Sequence, residues 1–211
     1  MTQRSDDLVP GWLALLVLVL LLAVFAAGGW IVRGLATQND VANPATVTVN
    51  EWKTKVASDT QNLQYRLSYA FALQQNAQYD KALEQYRFVL SREPQDTAAL
   101  YNEGVIYSQT DRAKLAETTW WKVLDAAPDH VLAAKALGQY YIDNKQYKSA
   151  LVALAPAVKA RPEYADLQYL DGLSLERLDR RDEAITHYKL AVRYAPDYTK
   201  ATDGLKRLGA E

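Results

Sequence analysis

The sequence predicts an all-α protein in which one membrane-spanning helix precedes a stack of helical hairpins. Three observations predict it. Pro94, Pro128, Pro162 and Pro196 are separated by 34 residues each. Small and large apolar residues recur in register between those prolines. Near the N-terminus, Leu8 to Val32 carries no charge and is almost wholly apolar from Gly11 onward.

Residues 1–10 are a short tail containing Arg4, Asp6 and Asp7. Residues 11–32 are the expected transmembrane helix, which at ~1.5 Å per residue would run roughly 33 Å, enough to cross a hydrocarbon core of about 30 Å. Trp12 and Trp30 stand near its ends, where indoles favour the membrane–water interface, and Arg33 closes it. A cleaved signal peptide has a shorter apolar stretch, ended by a small-x-small site. Here Trp30-Ile31-Val32 prolongs the run beyond Ala26-Ala27-Gly28-Gly29, which favours an uncleaved single-pass anchor. Flanking charges hardly distinguish the two sides. The usual layout of a short tail before a large C-terminal domain gives a cytoplasmic N-terminus and an extracytoplasmic, periplasmic-side repeat domain as the expectation.

Residues 33–62 read as a linker. Pro44 is expected to interrupt any helix there, and a short helix is expected over Asn50–Ser58, with Trp52 and Val56 on one side. The period then divides residues 63–198 into four units, 63–96, 97–130, 131–164 and 165–198, and leaves 199–211 as a capping helix. The first helix of each unit carries a small residue at Ala70, Gly104, Gly138 or Gly172, and three residues later Leu73, Tyr107, Tyr141 or Leu175. The second helix carries Ala82, Ala116, Ala150 or Ala184, then Tyr86, Trp120, Leu154 or Tyr188, then Val89, Val123, Ala157 or Ala191. A small residue lets paired helices approach closely. Proline cannot extend a helix and restricts the residue before it, so it ends the second helix. A single hairpin cannot bury its apolar face alone, and stacking neighbours buries it.

These four registers together resemble the tetratricopeptide repeat family over Leu63–Glu211. The resemblance implies a right-handed superhelix of helical hairpins whose first helices line a concave, partner-binding face. Ala70 stands where the family usually has Gly, and Leu73 and Leu175 where it usually has Tyr. Pro156 falls inside the second helix of the third unit, where it is expected to kink or shorten that helix.

Chemistry is sparse. Basic and acidic residues number 24 and 25, so no electrostatic footprint for nucleic acid exists. There is no cysteine, and no Gly-rich phosphate loop, HExxH pair or GxSxG elbow. His130 and His187 are expected to be solvated surface residues, in an inter-unit turn and on an outer helix face. The Asp179-Arg180-Arg181-Asp182 cluster reads as a solvated turn, with Asp182 helping to start the next helix. No catalytic residue, metal site, cofactor or small-molecule substrate is expected.

What the resemblance implies instead is recognition of a protein or peptide. The groove positions carried over onto this sequence are Leu67, Phe71 and Gln74, then Tyr101, Asn102, Val105 and Ser108. Lys135, Gln139 and Ile142 follow in the third unit, and Tyr169, Leu173 and Glu176 in the fourth. Such an apolar and aromatic stripe suits an extended or helical peptide. The family's carboxylate clamp requires Lys, Asn and Arg where this chain has Leu67, Phe71, Asn102, Leu132 and Ala136, and only Asn102 matches. The functional expectation is a membrane-anchored scaffold or assembly adaptor. The alternative is a permanent subunit of a membrane complex.

Overall fold

The structure is a computed structural model and describes residues 44–210. They form ten helices: α1 (Pro44–Ser58), α2 (Leu63–Gln75), α3 (Tyr79–Arg92), α4 (Thr97–Gln109), α5 (Ala113–Ala126), α6 (Val131–Asp143), α7 (Tyr147–Ala160), α8 (Ala165–Arg177), α9 (Arg181–Tyr194) and α10 (Thr199–Arg207). The pairs α2/α3, α4/α5, α6/α7 and α8/α9 are antiparallel hairpins, each packed on the next, and α10 packs on α9. The all-α repeat fold is the one read from the sequence. The expected membrane helix, residues 11–32, lies outside the described residues, among which no helix is long and apolar enough to cross a membrane.

The prolines act through the residue before them. Glu93, Ala127, Arg161 and Ala195 each leave the helical region, with ψ of 81°, 89°, 62° and 90°. Each N–H still donates to the carbonyl four residues back, and each carbonyl then accepts from Asp96, His130, Tyr164 or Tyr198, closing the same turn four times. The side chains of Asn62, Asp96 and His130 accept the N–H of Tyr65, Ala99 and Ala133 at 3.0, 2.7 and 3.2 Å, capping α2, α4 and α6. Tyr164 and Tyr198 occupy the same position before α8 and α10 without capping by their side chains.

The registers meet inside the hairpins. A Cβ at Gly104 would lie 2.5 Å from Trp120 Nε1, and one at Gly138 would lie 2.7 Å from Leu154 Cδ2. Cβ atoms at Gly172 and Gly204 would both meet Tyr188, at 2.9 and 2.5 Å. Small residues thus make room for the large residue opposite. Tyr107 and Tyr141 work between hairpins. Arg87 of α3 donates to Tyr107 Oη at 3.0 Å, and Trp121 Nε1 of α5 donates to Tyr141 Oη at 2.8 Å.

Two local expectations are corrected. α1 begins at Pro44 and is longer than the short helix expected, because proline's missing N–H costs nothing in the first turn, where no carbonyl waits for it. α7 is not shortened by Pro156 and keeps the 14 residues of α3, α5 and α9. The carbonyl that loses its donor belongs to Val152, which is 65% exposed, so water can replace the lost bond.

Candidate partner-binding surface

The implied groove residues divide into two environments. On α2 and α4, Phe71 is 50% exposed, Ser108 is exposed, and Leu67, Tyr101, Asn102 and Val105 are half-buried. Gln74 is 8% exposed and accepts the Tyr86 hydroxyl at 2.9 Å inside its own hairpin, so its polar end serves packing rather than a groove. Tyr101 rests beside the His130 ring at 5.7 Å, and burial raises its phenol above the ordinary range. Asn102 donates to the Ala98 carbonyl at 2.9 Å. Leu132, at the start of α6, is 51% exposed. The groove side chains on α2 and α4 carry no formal charge, while Lys135 of α6 lies near enough to Tyr101 to oppose the rise of its phenol.

On α6, α8 and α10 the same face is polar and internally paired. Lys135 binds Asp166, which also accepts the Tyr198 hydroxyl at 2.8 Å. Burial alone would raise the Asp166 carboxyl, but Lys135 and Tyr198 outweigh it and hold the group below the usual range. Tyr169 packs between Tyr188 and Tyr198, with ring centroids 6.0 and 5.6 Å away, and Lys200 lies 5.9 Å from its ring. Glu176 accepts the Tyr188 hydroxyl at 2.5 Å and Arg207 Nε and Nη2 at 3.0 and 2.9 Å. Burial opposes ionisation of Glu176 too, and those donors again leave its carboxyl lowered. Gln139 bonds Asp143 of its own helix at 2.7 Å, while Ile142 and Leu173 are half-buried.

The structure therefore brings Lys135, Tyr169 and Glu176 together with Asp166, Tyr198, Lys200 and Arg207, which sequence reasoning left out. Asp166 and Lys200 occupy the unit position of Leu132, so the period itself could have found them.

Neither histidine is the solvated residue expected. His130 caps α6 and packs its ring at a tilt beside Tyr101. His187 turns inward, its Nδ1 2.8 Å from Gln168 Oε1 and its Nε2 3.2 Å from Asp171 Oδ2. Gln168 donates its own Nε2 to the Pro162 carbonyl, which aims Oε1 at the imidazole. Burial raises the Asp171 carboxyl against the lowering effect of His187 and Arg180. In the charged turn, Arg180 donates to Glu183 through Nε and Nη2, at 2.7 and 2.6 Å. Arg181 donates to the Leu208 carbonyl at the end of α10. Among the described residues no group of three His, Asp or Glu side chains is placed to hold a metal ion.

Comparison with known proteins places this geometry. A tetratricopeptide repeat profile matches residues 70–131 and 135–199, more than half of the chain. A BBSome complex member BBS4 homolog of Drosophila melanogaster is 29% identical over 118 residues, 56% of this chain and 24% of that protein. The chain thus spans about a quarter of that relative's length. A crystal structure of MamA protein superimposes with a TM-score of 0.62 at 20% identity, covering 69% of this chain and 80% of the other. A crystal structure of YrrB, described as a TPR protein with an unusual peptide-binding site, gives 0.62 at 19%, covering 76% and 84%. At these identities the two structures speak for the fold.

Proposed function

The chain belongs to the tetratricopeptide repeat family, and on that premise we propose that it is a protein–protein interaction scaffold which captures a partner protein or peptide on its first-helix face. The observation that carries this reading is the uncharged stripe of Leu67, Phe71, Tyr101, Val105 and Leu132 on α2, α4 and α6, with Phe71 and Leu132 half exposed. Apolar side chains left in water on successive first helices supply what a peptide anchor needs: area to bury and few charges to desolvate. The description of YrrB as peptide-binding and of the fly relative as a complex member agrees with a binding role. The reading is of a binding protein, not an enzyme.

The apolar run of residues 11–32 supports a second element of the proposal, that the scaffold is tethered to a membrane with its repeats on the extracytoplasmic side. Full-length protein should then resist carbonate extraction and keep Met1 or Thr2 at its mature N-terminus. A mature N-terminus between Ala27 and Ala42 would sink the tether and leave the scaffold standing.

A photo-crosslinking residue placed at Phe71 of the full chain tests the binding face. It should trap a discrete partner, and the same group at Thr118, exposed on α5, should not. Tyr101→Ala should weaken that capture about 30-fold, as loss of a true anchor does. Equal trapping from both positions would mean that the first-helix face is not the site. A partner retained in fixed stoichiometry through detergent purification would favour the alternative reading of a permanent complex subunit.

A further inference from the structure

The exposed face of α7 differs from those of the other second helices. α3, α5 and α9 each contain acidic residues, whereas α7 contains none. Its unit position for Val152 is filled by Glu84, Thr118 and Thr186 in the other hairpins, and Val152 is 65% exposed. Val152 and Leu151 form one wall of a depression of about 410 Å³ against Leu178, in the turn between α8 and α9. Lys148 and Arg180 stand on its rim, and a second depression of about 340 Å³ continues it to Lys145 and Tyr147. Arg180 is taken by Glu183, but Lys145 and Lys148 have no carboxylate partner among the described residues.

We propose that this notch is a second docking site, separate from the first-helix face, for an acidic peptide segment that inserts an apolar side chain between Leu151, Val152 and Leu178. Two unpaired lysines beside an apolar floor complement carboxylates flanking an aliphatic or aromatic residue. A flat bilayer surface does not enter a recess between two elements, which favours a peptide over an anionic membrane.

The test is selection of short random peptides displayed on phage against the immobilised full chain, with counter-selection on Val152→Asp and on the pair Lys145→Glu, Lys148→Glu. Val152 is exposed, so its substitution should leave the thermal melt unchanged. Peptides lost on both variants should be rich in Asp and Glu around a Leu, Ile, Phe or Trp. A synthetic copy of one should bind wild-type protein at least about tenfold more tightly than either variant, and weaken as salt screens the lysines. Thr118→Asp, at the same unit position on α5, should bind it normally. A pool with no acidic bias, or peptides that survive both variants and are lost on Tyr101→Ala, would overturn the second site without touching the first-helix reading. Displacement of the peptide by phosphatidylglycerol-doped micelles but not by zwitterionic ones, together with a selected pool lacking apolar residues, would assign the lysines to lipid and overturn it as well.

Discussion

Tyr188 is fully buried with Gly172 against one side of its ring and Gly204 against the other, while its hydroxyl donates to Glu176. Residues placed this way leave no room for growth, and the same logic holds at Gly138 against Leu154. Gly138→Leu should cost about 1–3 kcal/mol or more by overpacking, whereas Gln139→Leu, one residue away and exposed, should change stability little; thermal or denaturant unfolding of the two variants checks this. Glu176 gives a pH-dependent counterpart. Its folded carboxyl is held below the ordinary range, so the unfolded chain takes up the proton more readily. Its stabilisation is therefore present above the ordinary glutamate pKa of about 4.3 and is lost as pH falls through the lower folded value. Glu176→Gln should be less stable at neutral pH by about 2 kcal/mol, and its melting temperature should fall less steeply in acid. A parallel acid limb in wild type and variant would place the acid sensitivity elsewhere, Asp166 being the next carboxylate held down by its partners.

At the level of elements, the turns inside the hairpins repeat as strictly as the prolines do. Ala77, Asp111, Lys145 and Asp179 all have positive φ, between 54° and 58°, and Gly209 ends α10 at 60°. After each of them an N–H reaches back to the third-last helical carbonyl: Gln78 to Leu73, Arg112 to Tyr107, Gln146 to Tyr141, Arg180 to Leu175 and Ala210 to Leu205, at 2.7–3.0 Å. This is the 6→1 bond of a Schellman ending, which favours glycine because a Cβ crowds the left-handed region. Four of the five endings keep a side chain there. Ala77→Gly should accordingly stabilise the protein by about 1 kcal/mol, and Gly209→Ala should destabilise it by a similar amount, as read by denaturant midpoints. A loss of stability in Ala77→Gly would mean that unfolded-chain entropy outweighs the relief of strain.

Across the whole repeat unit, burial is continuous but uneven. One apolar core runs from Val49 through Leu170, and a smaller one gathers Leu175, Ala184, Tyr188, Ala191, Ala201 and Leu205 around α9 and α10. In a stack where each hairpin touches only its neighbours, local stability follows the burial and the number of flanking units. Hydrogen exchange of the native protein should find α4–α7 most protected, with α9 and α10 opening first. Uniform protection across the stack would indicate one all-or-none unit in place of the graded opening expected here.

The sequence by itself determined the repeat, because a period of 34 residues written in proline, glycine and alanine needs only local chemistry to be read. Proline constrains its predecessor wherever it stands, and a small residue opposite a large one follows from helix spacing. Tertiary structure decided what lies opposite what. His187 looks solvent-facing on its own helix, yet it meets Asp171 and Gln168 because α8 lies beneath it. Its unit equivalent in the preceding hairpin, Ala153, is fully buried, a signal that the 34-residue register carried and single-helix reasoning ignored. The pairing of Lys135 with Asp166, and of Glu176 with Arg207, joins residues 31 apart. No periodicity within one helix announces such pairs, since each depends on the height and rotation at which neighbouring first helices pack. The apolar face of residues along α2 and α4 was legible as composition. Its restriction to the uncharged half of the stack was not, because charges on α6, α8 and α10 are silenced only by partners that folding brings beside them.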